Sequence, residues 1–341
     1  MIRHSTLVAT WAAAALAVPA TDPVALRTRD GALQPATVTE IVIGANLVYS
    51  PVHNRVLLVN GSEDFKSEIA TQVWSWDGRR WNPLEGIGPR VRNLAGAAFD
   101  AARRELVLFG GIRPREPQDD MWGWKDGTWR RIADSSVGPR DHHVMSYDSH
   151  RERVVLFGGT GARPEGAERR LSPVDTWEWD GKRWTQVATM GPSSRGRSAM
   201  VYDEKRREMV LFGGGGNEIL GDTWLWNGKK WREATVAGPP ARYAQAMAYD
   251  AHRRVVVLYG GSSAYGPARY LTDMWEWDGE KWSEIKTPAV NPGIRYSPGM
   301  AYDRNRRRVV LYGGIRQEDG GEPHYVFDTW EWDGRRWTEV R

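Results

Sequence analysis

An arginine that recurs at one position of a repeated sequence unit is the first candidate for ligand chemistry in this chain. It stands eight residues before an aspartate that follows an aromatic residue, and it comes after a loop rich in Gly and Pro. The copies are Arg92, Arg140, Arg195, Arg242 and Arg295, with Val42 at this position of the first unit. A guanidinium is a planar fork of donors that suits carboxylate and phosphate groups. The repeated arginine therefore indicates either an anion site or a repeated internal ion pair.

A recurring aspartate supplies the possible internal partner. It precedes a tryptophan-rich segment in five units, and the first unit has Gln72 at this position. The copies are Asp120, Asp175, Asp222, Asp273 and Asp328. Because the arginine and the aspartate are both missing from the first unit, structural pairing is a serious alternative to ligand contact. The sequence leaves both interpretations open.

Histidines and cysteines offer little catalytic or metal chemistry. The chain has seven histidines and no cysteine. His142 and His143 are adjacent, so on a strand they point to opposite sides, and His150 and His252 share one position in a turn. We find no G-x-S-x-G, no phosphate-binding loop and no ligand-spaced cluster of His, Asp and Glu. We therefore predict no metal, no cofactor and no catalytic residue assigned by motif.

The elements that position these residues are visible in the repeat itself. Eighteen of nineteen tryptophans follow the pattern W-x-W-x4-W, written six times and beginning at Trp74, Trp122, Trp177, Trp224, Trp275 and Trp330. In five units an apolar run that ends in two glycines precedes the tryptophans. Each unit of roughly fifty residues contains short segments rich in Val, Leu, Tyr and Trp, separated by Gly, Pro and Asp. This pattern predicts four short antiparallel strands per unit, which we name A to D in chain order.

The third unit shows the predicted strands most clearly. They are, approximately, Asp141–Tyr147, Arg153–Phe157, Thr176–Trp179 and Arg183–Val187. A two-residue type I′ turn at Asp180–Gly181 would pair Trp179 with Lys182, Glu178 with Arg183 and Trp177 with Trp184. All three tryptophans would then share one face, so we interpret them as residues that pack one sheet against the next. Charge pairs at Glu276/Lys281 and Glu331/Arg336 would repeat the arrangement.

The apolar run with Gly-Gly, the spaced aromatic pair and the following Pro-x-Arg together resemble the kelch repeat. The resemblance covers about residues 40 to 341 and occurs six times. It implies an all-β, six-bladed kelch-type β-propeller with four antiparallel strands per blade around a central channel. The copper-radical cofactor of galactose oxidase, the best-known kelch enzyme type, joins a Tyr to a Cys, so the absence of Cys argues against that chemistry here.

The expected domain organisation follows from these boundaries. Residues 1–20 read as a secretory signal peptide with cleavage after Ala20, because a basic start precedes the apolar stretch Leu7–Val18. Residues 21–38 form a lead-in, and blades are expected at about 39–85, 86–134, 135–188, 189–236, 237–287 and 288–341. Ring closure could rest on packing between blades alone, or on residues Thr21–Val38 adding an outer strand. The protein is expected to be secreted or periplasmic.

The resemblance also places the candidate binding residues. It implies that the five arginines lie at one mouth of the channel, on the face built from the D–A and B–C loops. Residues one and two positions further on, namely His142, Arg197, Tyr243 and Tyr296, would line the same rim. The longest B–C loops add further candidates, including Tyr265, Tyr270 and Tyr325.

Two functions are compatible with this mouth. The first is an exported, non-catalytic propeller that binds a protein, peptide, glycan or small anionic ligand. The second is an enzyme resembling kelch-type sialic-acid epimerases, acting on an acidic sugar, in which case His142 or His143 should project beside the arginines. The net charge of +4 is too small and too dispersed to favour nucleic acid. We expect no membrane anchor and a monomer.

Overall fold

The computed structural model describes residues 34–35, 45–59, 69–113, 116–134, 136–265, 269–286, 288–317 and 321–340. Every regular element in these ranges is a β-strand. Within the same ranges no helix is long and apolar enough to cross a membrane. The predicted signal peptide, most of the lead-in and Val42 lie outside the described residues.

Six four-stranded antiparallel sheets form the blades of a β-propeller, as the repeat predicted. Each blade comes from one continuous stretch of chain, with strand A on one edge and strand D on the other. Blade 1 consists of Asn46–Ser50, Arg55–Val59, Val73–Trp76 and Trp81–Pro83. Blade 2 consists of Gly96–Asp100, Glu105–Phe109, Asp120–Lys125 and Thr128–Asp134. Blade 3 consists of Val144–Asp148, Arg153–Phe157, Thr176–Trp179 and Trp184–Ala188.

The second half of the chain repeats the arrangement. Blade 4 consists of Ala199–Asp203, Glu208–Gly215, Ile219–Trp226 and Trp231–Ala234. Blade 5 consists of Ala246–Asp250, Val255–Tyr259, Met274–Trp277 and Trp282–Ile285. Blade 6 consists of Gly299–Asp303, Arg308–Tyr312, Thr329–Trp332 and Trp337–Val340. Short two-residue strands lie in the connections, at Gln34–Pro35, Ile69–Ala70, Ile112–Arg113, Glu116–Pro117, Arg140–Asp141, Thr160–Gly161, Ile315–Arg316 and His324–Tyr325.

The hydrophobic core lies between neighbouring blades rather than inside any one of them. Strand B of blade 3 is apolar over four consecutive residues because both faces of its sheet are covered. In the layer between blades 2 and 3, Val107 and Phe109 pack with Leu156, Trp179 and Trp184 of the next blade. Packing of this kind confirms the interpretation of the tryptophans as residues that join sheets.

The C–D turn of blade 3 has four residues, so the predicted two-residue turn and its pairing were wrong. The Asp180 carboxylate accepts the backbone N–H groups two and three positions further on, at 2.8 and 2.9 Å. Trp179 therefore pairs with Trp184 and not with Lys182. Because the register moves by two residues, Trp177, Trp179 and Trp184 still share one face of the sheet. A two-residue turn does occur in blade 2, where Lys125 pairs with Thr128.

The predicted cross-strand charge pairs were also wrong. Glu178 lies opposite Thr185 rather than Arg183. Its carboxylate instead accepts two hydrogen bonds from Arg151, at 2.7 and 2.9 Å. Glu276 and Glu331 likewise bind arginines of their own A–B turns. With a four-residue turn Arg183 lies in the turn and not opposite Glu178, and the Glu178 carboxylate pairs with Arg151 of the A–B turn instead.

Indole N–H groups connect a blade to the one before it wherever strand C of that preceding blade carries a threonine. Trp231 donates to Thr176 at 2.8 Å, and Trp226 of the same blade donates to Glu178 at 3.1 Å. The equivalent bonds join blade 5 to blade 4 and blade 1 to blade 6, as Trp282 to Thr223 (2.9 Å) and Trp81 to Thr329 (3.0 Å). Where an apolar residue replaces the threonine, as Met121 does beside Trp184, the buried indole nitrogen has no acceptor among the described residues.

Blade-to-blade packing closes the ring. Trp76 of blade 1 donates to Glu331 of blade 6 at 2.7 Å, and Leu47 and Leu58 pack with Val310 in one core cluster. Each blade supplies its own four strands, so no blade is split between the ends of the propeller. The described part of the lead-in, Gln34–Pro35, pairs in parallel with a strand in the B–C loop of blade 1 and adds no outer strand.

A second set of arginines, which the sequence analysis missed, joins neighbouring blades at the A–B turns. Each stands three residues after the aspartate that ends strand A and forms an ion pair or hydrogen bond with a carboxylate of its own blade. The members are Arg103, Arg151, Arg206, Arg253 and Arg306. Each guanidinium also lies against the glycine of the C–D turn in the next blade, where an added Cβ would collide with Arg103, Arg151, Arg206 or Arg306 and would crowd Arg253. The Asp-x-x-Arg spacing was visible in the sequence, but the partner on the neighbouring blade was not.

Candidate functional site

The A strands surround a central channel with a volume of about 590 Å³. Its middle is lined by small or apolar residues such as Ala97, Ala248 and Ala301. One mouth lies on the loop face, which we define as the D–A and B–C loops. The other lies on the turn face, defined as the A–B and C–D turns. Chemistry with polar ligands therefore has to take place at the mouths.

The five repeated arginines of the loop face, which we call the loop ring, are buried. Arg195, Arg242 and Arg295 are 0–1 % exposed, and Arg92 and Arg140 are each 3 % exposed. Arg242 forms a two-pronged ion pair with Asp273, with both N–O distances at 2.6 Å. The equivalent pairs are Arg92–Asp120, Arg140–Asp175, Arg195–Asp222 and Arg295–Asp328. In each pair the aspartate is the residue that the sequence indicated as a possible internal partner, in place of a bound ligand.

Further contacts explain why these residue types recur together. Nη1 of Arg140 also donates to the carbonyl of Gly158, the first residue of the Gly-Gly pair, at 3.2 Å. The Asp175 carboxylate in turn accepts the indole N–H of Trp177 at 2.7 Å. In blade 1, where the aspartate is absent, Trp74 has a buried indole nitrogen with no acceptor among the described residues. The arginine, the aspartate, the glycine carbonyl and the first tryptophan thus form one unit within the blade.

Electrostatics agree with a structural role for the loop ring. Burial raises the pKa of the Asp175 carboxyl, but the hydrogen bonds and charge of Arg140 outweigh burial and hold that pKa below its usual value. The pKa values of Asp120, Asp222 and Asp273 are lowered for the same reason. None of the five arginines is among the residues that line the channel. These contacts favour the internal ion pair over a ligand role for these arginines.

The inner rim of the loop-face mouth is formed by the residue two positions after each of these arginines. Its backbone is left-handed in blades 2 to 6, with φ of 57° at Leu94, 59° at His142, 54° at Arg197, 56° at Ala244 and 56° at Ser297. In blades 3 to 6 the N–H of this residue donates to the carbonyl of the rim residue in the preceding blade, as from Arg197 to His142 at 3.0 Å and from Ala244 to Arg197 at 2.8 Å. The side chains differ from blade to blade, so no sequence pattern indicated this ring of backbone hydrogen bonds. It fixes the positions of the predicted residues His142 and Arg197 at the mouth.

Four tyrosines pack beside this mouth, behind the residues that line the channel. The ring centroids of Tyr243 and Tyr296 are 5.6 Å apart, and those of Tyr270 and Tyr296 are 5.2 Å apart. Tyr265 extends the group towards blade 4, with its ring 5.2 Å from that of Tyr243. The guanidinium carbon of Arg197 lies 5.6 Å from the centre of the Tyr296 ring. Three of the predicted rim residues, Arg197, Tyr243 and Tyr296, therefore lie in one group, which we call the tyrosine cluster together with Tyr265 and Tyr270.

A hydrogen-bonded Asp–His pair lies on the blade 3 side of the mouth. Nδ1 of His142 contacts the carboxylate of Asp141, whose other oxygen accepts a hydrogen bond from Arg170. Burial, followed by the positive charge of Arg197, lowers the pKa of His142. A neutral imidazole that donates from Nδ1 to a carboxylate keeps its lone pair on Nε2. The arrangement can accept a proton at the mouth.

His143, the neighbouring histidine, has a different environment. It is 6 % exposed, and its ring packs edge-on against Phe109 with centroids 5.4 Å apart. Burial lowers the pKa of His143 to about 3. The contact with Phe109 directs His143 towards blade 2, whereas His142 lies close enough to Arg197 for that charge to lower its pKa, so only His142 of the two lies on the tyrosine side of the mouth.

Comparisons with known proteins leave the family unassigned. No family model matches the chain, and no curated protein matches it. Among the described residues, no group of three or more His, Cys, Asp or Glu side chains is placed to hold a metal ion.

The turn face differs from the loop face in its charge. Counted over the A–B and C–D turns and the strand residues that flank them, seventeen Lys or Arg residues are exposed, against three Asp or Glu. The basic residues are Arg55, Arg79, Arg80, Arg104, Lys125, Lys182, Arg183, Lys205, Arg207, Lys229, Lys230, Arg254, Lys281, Arg304, Arg307, Arg335 and Arg336. The acidic ones are Asp126, Glu152 and Glu280. On the loop face exposed charges of both signs are interspersed, as in the B–C loop of blade 3 with Arg163, Glu165, Glu168 and Arg169.

Proposed function

We propose that this protein is an exported kelch-type propeller that binds a small anionic ligand, such as an acidic sugar, at the loop-face mouth. The observation that carries the proposal is the position of Arg197 over Tyr296 at the rim of the channel. Arg197 offers a carboxylate partner, and the exposed ring of Tyr265 in the same cluster offers an apolar stacking surface to the same ligand, whereas Tyr243 and Tyr296 are buried behind them. The recurrence of arginine, Gly-Gly and tryptophan in blades 2 to 6 supports the kelch assignment, and the basic, apolar N-terminus supports export and a secreted or periplasmic location.

Rigid positioning supports the same site. Left-handed backbone at the rim and hydrogen bonds between successive rim residues hold Arg197 in place before a ligand arrives. Tyr265 adds to this rigidity, because its hydroxyl bonds to the backbone of Gly216 and Glu218 in the adjacent blade. A preformed site loses less entropy when it binds.

Calorimetric titration tests the binding proposal. Glucuronate and N-acetylneuraminate are compared with glucose, which matches them in ring type but has no carboxylate. We expect the acidic sugars to bind at least tenfold more tightly than glucose, and Arg197→Gln to weaken their binding at least tenfold. Arg169→Gln, which removes an exposed arginine from a loop of the same face, is the control and should change affinity less than twofold. Equal affinity of the wild type and Arg197→Gln would refute the site.

The Asp141–His142 pair favours a second function, which is enzymatic turnover of the same ligand class. A neutral His142 beside Arg197 could remove a proton from a carbon atom next to a carboxylate or carbonyl group, while the arginine stabilises the developing negative charge. Proton NMR of an acidic sugar incubated with the protein in D₂O would show exchange or epimerisation at that carbon. We expect any such signal to disappear in His142→Gln and to persist in Arg169→Gln. A wild type that binds the sugar without any exchange would leave binding as the function.

A further inference from the structure

We propose that the turn face docks onto the anionic headgroups of a lipid bilayer. It carries seventeen exposed basic residues and three exposed acidic ones, although the whole chain has 47 basic and 43 acidic residues. The positive charge of this face is not apparent from the net charge of the whole chain, which is only +4. Basic residues close to an anionic bilayer are attracted to it over about one Debye length.

The shape of the face favours a bilayer over a chain-like polyanion. In an antiparallel meander the A–B and C–D turns lie at the same end of the strands. Twelve short turns from six blades therefore end near one plane. Four of the C–D turns carry a basic residue at the same third position, namely Arg79, Lys182, Lys229 and Arg335. Four blades therefore present a positive charge at the same height around the propeller, which matches a flat array of anionic headgroups.

Two features argue against nucleic acid as the partner of this face. An ion pair between Arg304 of blade 6 and Glu204 of blade 4 crosses the channel opening, so the centre offers no open basic groove. Nor does any large hydrophobic side chain on the described turns reach the exposed range, so bases would have no aromatic platform to stack on. With no apolar wedge to insert, contact with lipid would be electrostatic and reversible.

Vesicle sedimentation tests the proposal on the full-length protein. Vesicles of phosphatidylcholine with one third phosphatidylglycerol are compared with pure phosphatidylcholine, at low and at high salt. We expect binding only to the anionic vesicles, with at least a tenfold loss on going to high salt, because salt screens exposed charges. Absence of binding to anionic vesicles at low salt would overturn the proposal.

A matched pair of variants separates this face from charge in general. The test variant changes Arg79, Lys182, Lys229 and Arg335 to Gln, which keeps the backbone N–H that each donates to the side chain at the start of its turn. The control changes Arg163, Arg169, Arg269 and Lys286 of the loop face to Gln and removes the same charge. We expect the test variant to bind at least tenfold more weakly and the control to bind within twofold of wild type.

Three results would contradict the assignment. Equal weakening in both variants would mean that total charge, and not this face, attracts the vesicles. Tighter binding to heparin or single-stranded DNA than to anionic vesicles at the same salt would identify a chain-like polyanion as the partner. An unchanged affinity in the test variant, with an unchanged thermal midpoint, would remove these turns from the interface. The loop-face binding site is tested separately and is unaffected by any of these results.

Discussion

The loop ring and the arginines of the A–B turns, here the turn ring, use the same side chain for different purposes. In the loop ring each guanidinium is almost fully buried and binds the aspartate and, through the aspartate, the tryptophan of its own blade. In blades 2 to 5 it also binds the carbonyl of the first glycine of the Gly-Gly pair. In the turn ring each guanidinium is about a quarter to a third exposed, binds carboxylates of its own blade and lies over a glycine of the next. The first set holds a blade together, and the second holds the blades to one another.

Replacing three members of the loop ring should have the largest effect. In Arg140→Gln/Arg242→Gln/Arg295→Gln, three aspartates and the carbonyls of Gly158 and Gly260 lose their partner. Breaking a buried ion pair costs about 3 kcal/mol or more, so the triple change approaches the whole stability of an ordinary domain. We expect little folded protein at 37 °C by circular dichroism and near-ultraviolet tryptophan signals. A thermal midpoint within a few degrees of wild type would show that the pairs are not structural.

The matched triple change in the turn ring should cost less. Arg151→Gln/Arg253→Gln/Arg306→Gln removes charged hydrogen bonds that solvent partly screens, which contribute about 1–2 kcal/mol per site. We expect a folded protein with a clearly lower thermal midpoint. Because these arginines lie across blade boundaries, limited proteolysis should cut first at the A–B and C–D turns. A loss as large as that of the loop-ring variant would mean that the two rings are energetically equivalent.

The two rings also show which features the sequence could reveal. The shared absence of arginine and aspartate from the first unit indicated the correct partner, because both residues belong to the same repeat. The fold and the strands followed from periodicity for the same reason. The turn-ring arginines recur with equally regular spacing, but each one also contacts a glycine of the next blade. A contact between two blades cannot be read from the sequence of one repeat. The left-handed rim was invisible because its side chains, from Leu94 to Ser297, share no chemistry.

Indole hydrogen bonds offer a smaller test of the contacts between blades. Thr176→Val removes the acceptor of Trp231 and should destabilise the protein by about 1 kcal/mol, since the indole N–H stays buried without a partner. Val73→Thr is the reverse change. It places a hydroxyl at the equivalent position of blade 1, where the buried indole nitrogen of Trp129 has no acceptor among the described residues. We expect opposite signs in urea unfolding, and two changes of the same sign would contradict the role of the indole bond.

Acid titration should distinguish the aspartates that pair with loop-ring arginines from the aspartates that precede turn-ring arginines. Asp175, the partner of Arg140 in the loop ring, has a lowered pKa, because the hydrogen bonds and charge of Arg140 outweigh the effect of burial. Its contribution is therefore present above the unfolded pKa of about 3.9 and is lost as pH falls through the lower folded value. Asp175→Asn should be destabilising at pH 7, and the difference from wild type should shrink below pH 4. If the difference were constant between pH 7 and pH 3, the lowered pKa of Asp175 would be refuted.

Asp303, which stands three residues before Arg306 of the turn ring, should have the opposite effect on stability as pH changes. Burial raises its pKa, and the hydrogen bonds and charge of Arg306 do not fully compensate. The folded state then binds this proton more tightly than the unfolded chain, so ionisation of Asp303 costs stability as pH rises through the raised folded value. Asn keeps the shape and one acceptor for the backbone N–H of Arg306, which Asp303 accepts at 3.0 Å. Asp303→Asn should therefore change stability at pH 7 by less than about 1 kcal/mol. Its difference from wild type should move in the destabilising direction as pH falls, because only the wild type gains from the proton.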